Sequence, residues 1–397
     1  MSAVFVLGLM TAGVFAVFIN QYNYLSDSNE DGEEPGMDAG ALPDDGAPGP
    51  DTSAPPPGMD SGESLTGGVS EDGAGQSDLL TIAAGGSLTG TDDNEIFGLE
   101  GSASAPVSLD ASGGNDTIDL FDPAAAAADV AALQLPESLI DGGMGNDLID
   151  SATRDSTILG NFGNDTITGI HDGSLIDAGT GNDVVNVEGT ATTGTAVMGG
   201  DGADLIDARV DGGTIHGGAG NDTLFAYAGG AALTQVSGDA GMDFFDIDGT
   251  NLPVGSNQHG FAVTGGTGID VFMVAVNEGV QDSSFWTGEH VSVTPEGALN
   301  VDTGEITDFT PGEDLLVIDG TPLSDAVSLT GLAFEEVSDG TQTSTEVTLT
   351  YTSDTPGDPV REVTFALTGA SGLTETDIQL IGAGADLLQI IPLPVAA

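Results

Sequence analysis

The sequence predicts an all-β solenoid of 18-residue coils followed by a small C-terminal β cap. Three observations predict it. First, glycine-rich loops closing on an aspartate recur at Asp147, Asp165, Asp183, Asp204, Asp222, Asp243 and Asp270, at intervals of 18, 18, 21, 18, 21 and 27 residues. A fixed period of this kind marks a repeat architecture. Second, with each aspartate counted as position 6 of its loop, position 8 is always apolar: Ile149, Ile167, Val185, Ile206, Leu224, Phe245 and Phe272. Nine residues before each stand Ile140, Ile158, Ile176, Val197, Ile215, Val236 and Val263. Third, the 397 residues include 62 glycines and only 5% aromatics, a composition suited to a thin core between stacked coils.

The chain opens on an uncharged apolar run, Val4–Ile19, within a segment spanning residues 1–25. Its length lies between a signal peptide's hydrophobic region and a full membrane span. It reads as a membrane anchor or a signal, with no basic flank to orient it. Residues 26–80 are acidic and rich in Pro, Gly and Ser, with Pro55-Pro56-Pro57 among them. Such a segment buries too little apolar surface to fold and reads as a disordered linker.

The repeat region is assigned to residues 81–273. Its loops are Gly142-Gly143-Met144-Gly145-Asn146-Asp147, Gly160-Asn161-Phe162-Gly163-Asn164-Asp165, Ala178-Gly179-Thr180-Gly181-Asn182-Asp183 and Gly199-Gly200-Asp201-Gly202-Ala203-Asp204. Gly217-Gly218-Ala219-Gly220-Asn221-Asp222 and Gly238-Asp239-Ala240-Gly241-Met242-Asp243 follow, and the last loop contributes Gly265, Gly268 and Asp270. An earlier, degenerate copy is Gly113-Gly114-Asn115-Asp116, with Ile118 at position 8. The unit is nine residues, a tight turn and a short strand, and two units make one coil. Glycine suits the turns because it takes positive φ cheaply.

The half-period between loops lacks the motif. It carries Ser156, Ser174 and Gly213 at the equivalent position, and the three-residue insertions fall there. The carboxylate row therefore lies on one edge only. An insertion at 122–138 interrupts the first coil, and Asp122-Pro123 before Ala124–Leu133 reads as the start of a short helix. Residues 274–397 lose the period and read as a β cap, with Thr345–Tyr351 and Val360–Leu367 forming a hairpin about Thr355-Pro356-Gly357-Asp358-Pro359. The 27-residue step to Asp270 leaves two possibilities: a loop-out near Asn251–His259, or Asp270 on the wrong edge.

On the acidic edge each aspartate falls one strand spacing, ~4.8 Å, from the next. Like charges that close repel unless a cation lies between them. Carboxylates with turn carbonyls suit Ca2+, which takes 6–8 oxygens in flexible geometry, better than Mg2+. Zinc would want His or Cys, which the loops lack. About five to six ions would fit between successive loops along one edge, held by the aspartates and loop glycines named above with Asp116. Net charge is −61, from 64 acidic residues against 3 arginines and no lysine. That excludes nucleic-acid binding, which needs basic residues to neutralise phosphates. The absence of cysteine removes disulfides and thiolate chemistry.

These loops resemble the Gly-Gly-x-Gly-x-Asp-x-hydrophobic-x nonapeptide of RTX, or hemolysin-type calcium-binding, repeats, over about Gly113–Met273. The resemblance implies a right-handed parallel β-roll. It further implies an uncleaved C-terminal signal read by a type I secretion apparatus, with Ile306–Asp319 similar to the segment that follows the roll in secreted members. There is no His-Glu-x-x-His and no Gly-x-Ser-x-Gly, and His171, His216, His259 and His290 are scattered. The expected function is therefore a non-enzymatic, calcium-binding protein, secreted or on the cell surface, anchored if residues 4–19 stay in the membrane. Its surface partner is not legible. Two alternatives remain at this stage: an adhesin or other ligand-binding solenoid, and a secreted hydrolase with its site in the C-terminal third.

Overall fold

The computed structural model describes residues 79–121, 134–189, 194–227, 233–248, 261–275, 291–319, 327–338, 340–381 and 388–391. Every regular element among them is a strand. The apolar run Val4–Ile19, the acidic linker up to residue 78, the expected helix Ala124–Leu133 and the segment Asn251–His259 lie outside the described residues. Among those described, no helix is long and apolar enough to cross a membrane.

The strands alternate between two sheets. The first sheet takes Leu79–Ala83, Ile96–Glu100, Thr117–Asp119, Leu148–Arg154, Thr166–Asp172, Val184–Glu188, Leu205–Arg209, Thr223–Tyr227, Phe244–Asp248, Val271–Ala275, Leu315–Asp319 and Ile378–Ile381. The second takes Ser87–Thr89, Ser108–Asp110, Leu139–Met144, Thr157–Phe162, Leu175–Thr180, Ala196–Asp201, Thr214–Ala219, Gln235–Ala240, Phe261–Thr267 and Leu299–Ile306. Within these runs all neighbours pair parallel. This is a parallel β-solenoid of the two-sheet β-roll kind.

Register follows the apolar columns. Ile118, Ile149, Ile167, Val185, Ile206, Leu224, Phe245, Phe272 and Leu316 are direct partners along the first sheet. Leu109, Ile140, Ile158, Ile176, Val197, Ile215, Val236, Val263 and Ile306 align along the second. None of these is more than 3% exposed. Side chains alternate between faces along a strand, so a slip of one residue would turn a whole column outward. Each column member contributes about 1.5–3 kcal/mol by burial. The inner surface grows toward the C-terminus: beside Ile149 the next inward residue is Ser151, and beside Phe245 it is Ile247. Phe245 and Phe272 stack with ring centroids 5.0 Å apart.

Three sequence expectations change here. The loss of period after Met273 is a loss of spacing, not of stacking: Val271–Ala275 pairs in parallel with Leu315–Asp319, which pairs with Ile378–Ile381. The cap is likewise continuous with the second sheet. Leu299–Ile306 pairs with Arg361–Leu367, then antiparallel strands Thr343–Ser353 and Val327–Ser338 follow, with Leu388–Ile391 at the edge. The expected hairpin is thus present, slightly longer than its apolar alternation showed. Finally, residues 134–138 of the insertion are not helical, since Leu135–Pro136 is a strand beside Thr153 and Arg154.

One glycine column sets how closely coils approach. At loop position 4, Gly145, Gly163, Gly181, Gly202, Gly220, Gly241 and Gly268 all have φ between 129° and 153°. A Cβ on Gly181 would lie 1.6 Å from the carbonyl oxygen of Gly163 in the preceding coil. Both strain and collision exclude a side chain there. Gly101 also has positive φ, 92°, but open space around it. Gly181→Ala is therefore expected to cost about 3–5 kcal/mol, in the range of severe core disruption, and Gly101→Ala about 1 kcal/mol. Urea unfolding of the two variants checks this, and equal losses would show that collision with the neighbouring coil is not what position 4 avoids.

Candidate metal centre

The position-6 aspartates form one continuous ladder. The backbone N–H of Asp147 donates to Oδ1 of Asp165 at 2.8 Å, and that of Asp165 to Oδ1 of Asp183 at 2.7 Å. The same bond runs from Asp116 to Asp147, and through Asp204, Asp222, Asp243 and Asp270, at 2.8–2.9 Å. Asp270 is therefore on the same edge as the rest, and the long step before it is absorbed elsewhere in the coil. All eight aspartates are at most 2% exposed.

The ladder extends beyond the sequence motif at both ends. Glu95 donates its N–H to Asp116 Oδ1 at 2.7 Å, and Asp270 donates to Asp314 Oδ1 at 2.9 Å. Both terminal carboxylates close on their own loops: Glu95 accepts the N–H of Thr91 at 3.1 Å, and Asp314 Oδ2 accepts that of Thr310 at 2.7 Å. Both residues carry a sequence signal, an acidic group two positions before an inward apolar one (Phe97 and Leu316), inside loops too degenerate to match the motif.

Between these caps the second oxygen is left over. Oδ2 of Asp116, Asp147, Asp165, Asp183, Asp204, Asp222 and Asp243 is buried with no hydrogen-bond partner. In five of the loops this oxygen lies against a position-1 glycine: Gly142, Gly160, Gly199, Gly217 and Gly238. A Cβ on Gly199 would meet Asp204 Oδ2 at 2.4 Å and the Gly217 carbonyl oxygen of the next coil at 2.5 Å. Gly160, Gly217 and Gly238 stand in the same relation to Asp165, Asp222 and Asp243. Two acceptors thus flank one space that lacks a Cβ. Oxygen acceptors repel unless a proton or a cation is shared between them.

Electrostatics agrees. Burial, the largest cause, raises Asp165, Asp204 and Asp243 to about 7 and Asp116, Asp147, Asp183, Asp222 and Asp270 to about 6. The ladder hydrogen bond opposes it and neighbouring carboxylates reinforce it. The residues present fit a hard cation: they offer oxygen only, with a row of unsatisfied carboxylate atoms. They do not form a carboxylate cage. Among the described residues no three of His, Cys, Asp and Glu converge, so main-chain carbonyls would have to complete any coordination.

At position 5 a second ladder runs beside the first. Asn115 N–H donates to Asn94 Oδ1, Asn146 to Asn115, Asn164 to Asn146, Asn182 to Asn164 and Ala203 to Asn182, at 2.8–2.9 Å. The aspartate bond points to the following coil and the asparagine bond to the preceding one. Position 2 departs from glycine at Asn161 and Asp239, both of which still take positive φ, 73° and 70°. Asp239 accepts from Ser237 at 2.7 Å and faces His216 Nδ1 at 3.0 Å, on the exposed face.

The opposite edge replaces carboxylates with hydroxyls. Val107, Ser138 and Ser156 donate N–H to the hydroxyls of Ser138, Ser156 and Ser174. His171 is fully buried behind them, its Nδ1 2.7 Å from Thr153 Oγ1, and burial pulls it down to about 4.

No protein-family model matches the sequence, and no curated protein matches it either. Among solved structures, the chain is similar to the AlgE6R3 subunit of the Azotobacter vinelandii mannuronan C5-epimerase. Identity is 21%, over 46% of this chain and 86% of that one, with a TM-score of 0.24.

The metal-free ladder has a defined pH response. The folded aspartates, at about 6 to 7, bind protons more tightly than unfolded aspartates at 3.8. Between those values the native state holds more protons, so stability falls as pH rises. With a chelator present, the urea midpoint is expected to be higher at pH 5 than at pH 8. Asp204→Asn, which keeps the accepting oxygen, should flatten that slope. A midpoint that rises from pH 5 to pH 8 would mean that the ladder carboxylates are not the groups left wanting a proton.

Proposed function

We propose that this chain is a non-enzymatic, calcium-binding protein of the RTX type, acting outside the cell, whose roll is completed by Ca2+ bound along the aspartate edge. The observation that carries the reading is the row of seven buried carboxylate oxygens without partners. At neutral pH an ion can do for them what a proton does at pH 5. The residues that would hold it are Asp116, Asp147, Asp165, Asp183, Asp204, Asp222, Asp243 and Asp270 with the loop carbonyls between them.

Calcium is favoured over its competitors by the donors. The sites offer only oxygen, which disfavours zinc. Their ligands come from stacked backbone loops of fixed spacing, a frame that suits the larger ion with its adaptable coordination better than Mg2+ with its strict octahedron and retained waters. A chain with 64 acidic residues and no cysteine has no disulfide clamp, and a divalent ion serves that purpose where calcium is abundant. The same charge supports release into, or display in, the external medium. Export by a type I apparatus accords with the RTX-like loops. The surface partner is left open.

Ions that bind only the folded roll stabilise it by mass action, about 2.7 kcal/mol for each site filled at a hundredfold over its Kd. Two filled sites already rival the whole stability of many domains. CaCl2 is therefore expected to raise the melting temperature of the chelated protein by more than 10 °C and to increase its strand signal in circular dichroism, with MgCl2 well behind. The Asp183→Asn/Asp204→Asn pair should bind fewer ions and melt lower in calcium, while melting no lower than the parent in chelator at pH 8. An unchanged melting curve on adding calcium to the chelated parent sinks the reading.

A further inference from the structure

The two ladders at the loop edge do not run equally far. Along the aspartate ladder every step is bonded, from Glu95 to Asp314. At position 5 the first five steps are also bonded, from Asn94 through Asn115, Asn146, Asn164 and Asn182 to Ala203. There the second ladder breaks. Ala203 has no amide to accept the N–H of Asn221, and Met242 and Ile269 offer none to the residues after them. Of the last four steps only that from Asn221 to Met242, at 2.9 Å, has its bond. The N-terminal loops are thus tied to both neighbours by two bonds of opposite sense, and three of the last four junctions by one.

We propose that the position-5 asparagines are positioning residues for the ions, and that they divide the edge into tight sites, at the junctions up to Ala203 and at that from Asn221 to Met242, and weak sites at the three junctions that lack the bond. This rests on the calcium reading above. The asparagines sit at the exposed side of the loop, one residue from each aspartate, and their amides contact backbone N–H groups rather than any carboxylate. Their effect is to fix the height of one loop tip above the next. The oxygens that would surround an ion come from two successive loops, so that height decides whether both sets are within reach at once. A site held in place before binding loses less order on binding and is tighter for it. Site rigidity is also one of the quantities that sets calcium affinity across protein families. One hydrogen bond is worth a factor of roughly 2–12 in an equilibrium constant, so the two groups should differ by about that factor per site.

The test is calcium titration of the full chain by calorimetry at pH 8, with melting in chelator measured beside it. The parent is expected to show two classes of site. Ala203→Asn supplies the missing acceptor for Asn221 and should move sites from the weak class into the tight one. Asn164→Ala should do the reverse, and Asn164→Asp, which keeps an accepting oxygen in place, should bind at least as tightly as the parent. If the parent shows a single class that neither Ala203→Asn nor Asn164→Ala moves, the inference is overturned and the calcium reading stands. If Ala203→Asn raises the melting temperature in chelator but leaves the isotherm in place, the asparagines are braces only and the inference again fails. No calcium heat in any of the proteins overturns the calcium reading itself. Ala203→Asn adds a side chain at a partly exposed loop position, so it remains informative even where Asn164→Ala does not fold.

Discussion

The bond on which the rest of this roll depends joins the backbone N–H of one loop to the carboxylate of the next, at 2.7–2.9 Å, eight times in succession from Asp116 to Asp314 after an opening step from Glu95. Loop N–H groups at a buried turn have no strand partner, and leaving them bare would cost as much as a lost hydrogen bond. The carboxylate satisfies them, and in doing so is drawn out of water. Three influences then act on each aspartate. The accepted hydrogen bond favours the charged form, while burial and the neighbouring carboxylates oppose it. Burial wins, since Asp204 rises to about 7 despite its ladder bond. The geometry that makes the edge regular also leaves it electrostatically incomplete.

The opposite edge solves the same problem without that debt. There position 6 is a hydroxyl at Ser138, Ser156 and Ser174, though a glycine at Gly213, and a hydroxyl can accept one bond and donate another. Ser156 takes the N–H of Ser138 and passes its own proton to the carbonyls of Leu135 and Arg154. Ser174 gives to Asp172, and Thr195 gives to His171 while accepting from Gly173. An ionised carboxylate accepts only, so the aspartate edge is left with a lone oxygen at seven rungs, Asp116 to Asp243, while the hydroxyls of Ser138, Ser156 and Ser174 are all bonded. A roll with one self-sufficient edge and one edge open to a proton or a cation couples its stability to the medium along a single line.

Much of this was legible in the sequence because the roll is quasi-one-dimensional: each coil touches its neighbours, so period alone gives contact. The two apolar columns and the one-sided aspartate row follow from counting residues. The remainder failed for identifiable reasons. Glu95 and Asp314 lie in loops where Thr91 and Asp93, and Phe309 and Thr310, replace the glycines, and a glutamate at position 6 breaks the aspartate pattern. The lost spacing after Met273 hid two further rungs, because the sheets tolerate long excursions between strands as long as each strand returns to its register. Counting places Ser156 and Ser174 where the other edge has aspartate, but does not show that their hydroxyls accept the N–H of the neighbouring coil. The asparagines of position 5 were in plain view, but an amide ladder requires knowledge of which backbone N–H lies above which side chain.

The glycines link these features into one constraint. At position 4 a coil's backbone rests on the carbonyl of the coil before it, closer than any side chain permits. At position 1, in Gly160, Gly199, Gly217 and Gly238, the missing Cβ leaves room for the second carboxylate oxygen and the next coil's carbonyl. The first requirement sets the rise per coil and the second sets what that rise encloses. Were the coils farther apart, the ladder bonds would lengthen beyond hydrogen-bonding range. Position 1 tolerates at most a methyl: Ala178 fills it beside Asp183, which stays buried, raised to about 6 and with its second oxygen unpartnered. The tightness of the backbone and the chemistry of the edge are therefore the same fact seen from two sides. Seven orphaned oxygens follow from a stack whose rise glycine alone can set at position 4.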